Sequence, residues 1–235
     1  MKTIVVIPTF NEGENITPLL FEIFQQNISD LEVIVVDDNS PDGTAVQVQK
    51  LQSTYPLIHL IKRYNKLGLG SAYIAGFKKA LALGAELIIE MDADLSHNPH
   101  DISRLITTCT NGADLAIGSR KIPGGKIIGW NWQRRLMSNG AMWISRFILR
   151  LKPHDVTAGF RCFKRKVLTT INLDNIKSNG YAFQEELLYR TQKANFVIKE
   201  IPTIFKDRTH GHSKLSSKDI REFFWAILRL KFGRG

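Results

Sequence analysis

Two aspartates spaced i, i+2, Asp92 and Asp94 in the segment MDADLSHNP at 91–99, follow the apolar run Leu87-Ile88-Ile89. In an extended or turning backbone, side chains two apart point the same way, so both carboxylates can face one hard divalent cation such as Mg²⁺ or Mn²⁺. A cation held there would hold phosphates. The triplet alone equally describes a strand-ending turn with solvated carboxylates, and a second acidic cluster decides between the two. Asp37-Asp38 closes the β-like run Glu32-Val33-Ile34-Val35-Val36 and leads into Asn39-Ser40-Pro41-Asp42-Gly43-Thr44, a turn signal feeding a polar helix. Two buried strands that both end in carboxylates describe a crevice at the carboxyl edge of a parallel sheet, where open α/β folds bind ligands.

The elements that must position these groups alternate regularly. Periodicity predicts strands at 3–7, 32–36, 57–61, 86–91 and 114–118, with helices at 14–26, 43–54, 71–83 and 99–110 between them. That rhythm implies βαβ units, and so an α/β fold with a Rossmann-like, mostly parallel sheet and helices on both faces. Gly68-Leu69-Gly70 lacks the third glycine of a dinucleotide fingerprint and reads as a loop and helix start. After Ser119 the pattern breaks into Pro123-Gly124-Gly125 and Gly129-Trp130-Asn131-Trp132. An apolar helix with embedded arginines (136–151), a helix at 182–193, a strand at 196–202 and a C-terminal amphipathic helix follow.

At 235 residues with 43% hydrophobic content, the chain is expected to form one domain. Cys109 and Cys162 stand in no ligand spacing, so inert thiols are expected. Met1-Lys2 runs directly into a strand, leaving no room for a signal peptide, and no apolar run reaches the length of a membrane span. The net charge of +10 is unevenly placed. Residues 1–118 carry 8 basic and 14 acidic side chains, whereas 119–166 carry 12 basic and 1 acidic. An acidic half that can hold a cation is thus joined to a basic segment suited to phosphates or an anionic membrane.

In order, VIPTFNEGENI at 6–16, VVDDNSPDGT at 35–44, LGLGSAYIAGF at 67–77 and MDADLSHNP at 91–99 resemble family 2 glycosyltransferases of GT-A fold. GSR at 118–120, GWNWQRRLMSNGA at 129–141, DVTAGFRCFKR at 155–165, GYAFQEELL at 180–188 and FKDRTHGHSK at 205–214 narrow the resemblance to dolichol-phosphate mannose synthases. Such enzymes move mannose from GDP-mannose to the phosphate of a polyprenol, with inversion at the anomeric carbon. The resemblance implies that Pro8, Phe10 and Glu12 line the guanosine pocket, with Val36 and Asp38 beside them. Asp92, Ala93 and Asp94 would hold the metal and diphosphate, and Arg120, Arg208 and Lys214 would contact the donor or its phosphates. Phe10 stands where tyrosine is usual, and Ser96 where some relatives carry glutamine. It also implies residues 1–118 as the nucleotide-sugar and metal-binding half and 119–235 as the acceptor and membrane-interface half, with a separate membrane subunit possible in such systems.

A polyprenyl phosphate is already anionic at neutral pH, so its attack needs positioning more than a strong base. His97, His154 and His212 are therefore read as structural or surface histidines, and Glu185-Glu186 as a helix face near the sugar. Arg134 and Arg135 are candidates for the acceptor phosphate. Arg146 and Arg150, one turn apart amid Met, Trp, Phe, Ile and Leu, point to a helix in the bilayer interface. On the C-terminal helix, Ile220, Phe223, Phe224, Ile227 and Leu228 are expected to face the core. Lys218, Arg221, Trp225, Arg229 and Phe232 would face a headgroup layer. The expected location is peripheral, on the cytoplasmic side of a membrane.

Three alternatives differ in what they explain. A UDP-glucose donor would use the same framework. A sugar nucleotidyltransferase would open with a Gly-rich phosphate loop after the first strand, and Pro8–Glu12 is not one. A non-catalytic membrane- or RNA-binding module suits basic residues interleaved with aromatics but leaves Asp38, Asp92 and Asp94 without a role, and no nucleic-acid partner is expected.

Overall fold

The computed structural model describes residues 1–178, 180–207 and 217–233. The first half alternates as its periodicity predicts: β1 (Thr3–Thr9), α1 (Gly13–Gln25), β2 (Leu31–Asp37), α2 (Thr44–Gln52), β3 (Ile58–Lys62), α3 (Leu69–Ala82), β4 (Leu87–Glu90), α4 (Ile102–Thr110) and β5 (Leu115–Ser119). The second half adds β6 (Lys126–Ile128), α5 (Trp132–Leu149), β7 (Arg161–Lys164), α6 (Arg165–Thr170), α7 (Gly180–Lys193), β8 (Ile198–Pro202), β9 (Ile204–Lys206) and α8 (Ser217–Phe232). One sheet runs β3-β2-β1-β4-β7-β5-β8, and β6 pairs with β9 in a small parallel ribbon.

The central strands are apolar at nearly every position because both sheet faces are covered, as in doubly wound folds. Along β1, Ile4 and Val6 join one core with Tyr73 and Phe77 of α3 and Phe183 of α7, while Val5 and Ile7 join another with Ile16, Leu19 and Ile23 of α1. Helix α3 lies so close to β1 that a Cβ on Gly76 would fall 2.2 Å from Val6 Cγ1. Any larger residue there must push the helix off the sheet.

Strand β7, like β6, β9 and α6, is an element that sequence periodicity does not reveal. It enters between β4 and β5 antiparallel to both, with Glu90 opposite Arg161. A strand of sequence RCFK reads as part of the basic segment, yet Arg161 is completely buried, donating to the carbonyls of Gln184 (2.8 Å) and Val156 (2.9 Å).

The expected faces of α8 need correction. Phe223 and Ile227 are buried, joined by Ala226 and Leu230, whereas Phe224 (43%) and Leu228 (44%) are exposed beside Trp225 and Phe232. The helix is rotated so that its apolar surface exceeds what the neighbouring helices cover. Arg229 does not face outward free of partners: it donates to Glu186 (2.9 Å) and Ser178 (2.7 Å). Ile220, Lys218 and Arg221 lie outside the residues whose side chains are described.

Candidate active site

The carboxyl ends of β1, β2 and β4 open onto a cleft of about 390 Å³. From the first half, Pro8, Phe10 and Glu12 line it, together with Asp38, Asp92, Ala93 and Asp94. From the second half come Arg120, Trp130, Arg134, Thr157 and Phe205. The acidic and basic halves of the sequence thus meet across one cavity.

Asp92 is held from three sides. Tyr73, completely buried, donates its phenolic hydrogen to Asp92 Oδ1 at 3.1 Å, and its ring stacks on Phe183. Burial, with Asp92 and Glu90 beside it, raises the Tyr73 pKa well above the ordinary value, so this donor stays protonated. The main-chain N–H of Asp92 donates to His97 Nδ1 (3.3 Å), which leaves the other ring nitrogen, 3.9 Å from Asp92 Oδ2, to carry the hydrogen. His97 stacks on Phe160 at 5.0 Å, and burial lowers its pKa despite Asp92 and Asp94. It is a neutral support for Asp92, in keeping with a structural histidine. Asp94 Oδ1 accepts the N–H of Ser96 (3.1 Å), and the intervening Leu95 sits at φ +59°. A non-glycine residue in that region is uncommon and marks a turn held by its surroundings.

Two carboxylates on one cleft wall are hard oxygen donors, and a Cβ on Gly159 would stand 3.3 Å from Asp92 Oδ2, so glycine keeps the approach to that carboxylate open. Among the described residues no group of three His, Cys, Asp or Glu is arranged to hold a metal. A pair of carboxylates with the remaining positions left to phosphate and water is how Mg²⁺ is commonly bound, so the residues fit.

Asp37 and Asp38 have separate tasks. Asp37 accepts from Thr9 Oγ1 (3.0 Å), Ser40 N (3.0 Å) and Ser40 Oγ (2.6 Å), fixing the turn after β2. Asp38 pairs with Arg63 and accepts the N–H groups of Leu67 (3.1 Å) and Gly68 (3.3 Å). It therefore holds the 63–68 loop over the cleft. That loop delivers Lys66, whose ammonium sits 3.7 Å from the Phe10 ring centroid, so one face of the Phe10 ring is covered by a cation. Val36 is buried between β2 and α3 and does not line the cleft. Its carbonyl instead accepts Thr9 Oγ1 at 3.5 Å.

Arg120 is fixed by Asp155, a completely buried carboxylate. Its Nε and main-chain N donate to Asp155 Oδ2 at 2.7 and 2.9 Å, and one terminal nitrogen donates to Oδ1 at 2.6 Å and to Thr157 Oγ1 at 3.0 Å. Arg134 pairs with Asp207 (2.8 Å) and lies 4.2 Å from the Trp130 ring. Arg135, its neighbour in sequence, does not reach this cleft: successive helical side chains point about 100° apart. Its guanidinium goes to the carbonyls of Trp130 (3.1 Å) and Ile127 (2.9 Å) on another face. Arg208 and Lys214, and with them His212, lie outside the described residues.

Glu185 and Glu186 do not face the cleft; their neighbour Gln184 does. Glu186 is buried and held by Ser178, Arg190 and Arg229. Glu185 is buried beside Arg161, and burial pushes its pKa up to about 8 against the pull of Ser145 and Arg161. Its native pKa lies above the ordinary 4.5. The native state therefore keeps this proton while the unfolded chain loses it, and stability falls as pH rises through that interval. Glu185→Gln removes this dependence. The urea midpoint of the variant relative to the parent is expected to rise between about pH 5 and about pH 8, and a constant difference would show that Glu185 is ionised in the native protein.

Lys66, Trp130, Thr157, Gln184 and Phe205 are lining residues that the sequence reading missed, and Tyr73 and Asp155 are missed supports. Trp130, Asp155, Thr157, Gln184 and Phe205 stand inside the quoted motifs, which was the available signal; which side chains turn toward the cleft depends on pairings far apart in the chain.

A mostly parallel sheet of this order, with paired aspartates facing arginines across the cleft at its carboxyl edge, is a GT-A fold. The chain belongs to glycosyl transferase family 2, whose model matches residues 4–171. It is 43% identical to the polyprenol monophosphomannose synthase of Mycolicibacterium smegmatis, over 96% of this chain and 85% of that one. It is 40% identical to the undecaprenyl-phosphate mannosyltransferase of Micrococcus luteus, over 94% and 90%. Among solved structures, glucosyl-3-phosphoglycerate synthase from Mycobacterium tuberculosis, in complex with Mn²⁺, uridine-diphosphate and phosphoglyceric acid, superposes with a TM-score of 0.71. That match covers 100% of this chain and 80% of the other at 17% identity, a likeness of fold.

Proposed function

We propose that this protein transfers mannose from GDP-mannose to the phosphate of a polyprenol, inverting the anomeric carbon, with a divalent cation, Mg²⁺ or Mn²⁺, at Asp92 and Asp94. The observation that carries the reading is the near full-length similarity to two polyprenyl-phosphate mannosyltransferases, set on a cleft whose one wall is acidic and whose other wall is cationic. Residues 1–118 would supply the donor side and 119–235 the acceptor side of one GT-A domain.

The cation, when bound, would offset the charge that develops as the nucleoside diphosphate departs. Pro8, Phe10, Glu12 and the Asp38-anchored loop bearing Lys66 would form the nucleotide end. Arg120, which the resemblance assigns to the donor phosphates, lies with Arg134 at the Trp130 ring (5.8 and 4.2 Å), and here the two would orient the acceptor phosphate so that its oxygen forms the new bond to the anomeric carbon as the bond to the diphosphate breaks. The attacking group is already anionic, so no side chain has to remove a proton. Arg208 and Lys214 are proposed as further cationic partners of the donor diphosphate.

Membrane attachment through α5 and α8 belongs to the same proposal. Helix α5 buries Met142, Ser145 and Leu149 and leaves Trp132, Leu136, Trp143 and Phe147 exposed, recurring at helical spacing. Trp143 and Phe147 stack at 5.6 Å in the open, and Trp225 and Phe232 of α8 are likewise exposed. Aromatics of this kind among arginines suit a headgroup layer, and no helix among the described residues is long and apolar enough to cross a membrane.

Labelled sugar transfer to a polyprenyl phosphate tests the reaction. Mannose from GDP-mannose should appear in the lipid and excess unlabelled UDP-glucose should not compete. Preferential transfer from UDP-glucose would replace the donor, and no transfer from any nucleotide sugar would overturn the reading.

A further inference from the structure

Arg120 also lines a second cavity, of about 430 Å³, together with Lys121, Lys126, Ile127, Arg135 and Asn139 among others. No carboxylate lines it. Asp155, the nearest buried acid, is spent on Arg120. Two of the other three cations are held by neutral acceptors, Lys121 by Asn139 Oδ1 (2.7 Å) and Arg135 by two main-chain carbonyls, and Lys126 forms no ion pair among the described residues. Such contacts fix the charges in place without offsetting them. Burial lowers the Lys121 pKa despite Asp155, and Arg120 and Arg135 add to the lowering, so an anion entering here relieves a real repulsion. Ile128, exposed on β6, and Trp132 and Leu136, exposed on α5, lie beside the cavity in the chain.

From this juxtaposition we infer that Lys121, Lys126 and Arg135 form a docking site for the phosphate headgroup of an anionic phospholipid, separate from the site of the acceptor phosphate at Arg120 and Arg134. The inference rests on the membrane-surface reading of α5 and α8. A lipid bound here places its tails beside Trp132 and Leu136. It pins the amino-terminal end of α5, and with it Arg134, at a fixed depth relative to the cleft. The source of the phosphate is a bilayer lipid, because a free phosphate would leave the adjoining apolar side chains without a partner.

The test is flotation of the full chain with vesicles of phosphatidylcholine alone and of phosphatidylcholine containing phosphatidate. Lys121→Gln with Lys126→Gln is compared with Lys50→Gln with Lys79→Gln, which removes the same charge from exposed lysines of α2 and α3. The first pair should weaken binding to phosphatidate vesicles about tenfold or more, the second should not, and neither should alter binding to phosphatidylcholine alone. Transfer to a short, water-soluble polyprenyl phosphate without vesicles should be unchanged in both. Equal losses from the two pairs would mean diffuse charge and overturn the site. Displacement from phosphatidate vesicles by inorganic phosphate at matched ionic strength would overturn the lipid as its occupant. If the parent protein floats with neither vesicle, the membrane reading itself fails; normal flotation with no difference between the pairs removes this site alone.

Discussion

Asp94→Asn is expected to lower sugar transfer on the order of 10³-fold, the upper end for removing one preorganised electrostatic stabiliser. Asparagine keeps the shape and the oxygen that accepts the Ser96 N–H, so the turn at Leu95 should persist while half of the proposed anionic donor set disappears. The loss should therefore be one of cation binding rather than of folding. Manganese electron paramagnetic resonance reads it without turnover: the parent should bind Mn²⁺ in the presence of GDP, and the variant should bind it far more weakly. Full activity of Asp94→Asn in a chelator would remove the metal from the mechanism.

The second large effect belongs to Asp155, which touches no substrate in the proposed mechanism. Burial raises its pKa, and Arg120, by charge and by hydrogen bonds, outweighs burial and holds it below the ordinary carboxylate value. Asp155→Asn leaves a nearly buried guanidinium without its counter-charge. Breaking such a pair costs about 3–5 kcal/mol of stability. The sign with pH follows from the depressed native pKa: the contribution of Asp155 is present above the ordinary value of 3.8 and is lost as pH falls below it. The gap in urea midpoint between parent and variant should thus be wide at neutral pH and narrow in acid. Arg120 is aimed as well as paired by Asp155, so the folded variant should show a raised KM for the lipid acceptor beyond any loss of folded protein. An unchanged KM would make the pair structural only.

The cleft wall built by the first half of the chain was largely legible in the sequence because its logic is local. Buried parallel strands read as unbroken apolar runs, and the polar residues that end them, Asp38, Asp92 and Asp94, sit where such strands open onto a crevice. Local reading could not divide neighbours. Asp37 and Asp38 look alike as letters, but the chain turns between them, and one secures a turn while the other secures a loop. Arg134 and Arg135 are separated by one step of a helix and so serve different cavities. The supports were hidden for a further reason. Tyr73 reaches Asp92 across the turn that joins α3 to β4, and Asp155 reaches Arg120 from 35 residues away, and neither contact follows from the local periodicity of its own segment. The exposed faces of α5 and α8 were legible in composition, but their rotation was not, since Phe224 and Leu228 continue the apolar period that Phe223 and Ile227 begin.

The insertion of β7 between β4 and β5 bears on how the chain matures during synthesis. Strand β4 is complete at Glu90, but its partner residue Arg161 leaves the ribosome roughly 70 residues later, which at 5–20 residues per second is an interval of several seconds. Throughout that time the amino-terminal half displays the unpaired edge of a strand whose four residues are all buried in the finished fold, a surface on which another chain could template. The nascent protein thus passes through a window in which holding chaperones would matter most. A stop placed between β5 and β7 should yield an aggregating fragment, although its sequence already contains both aspartates of the proposed metal site.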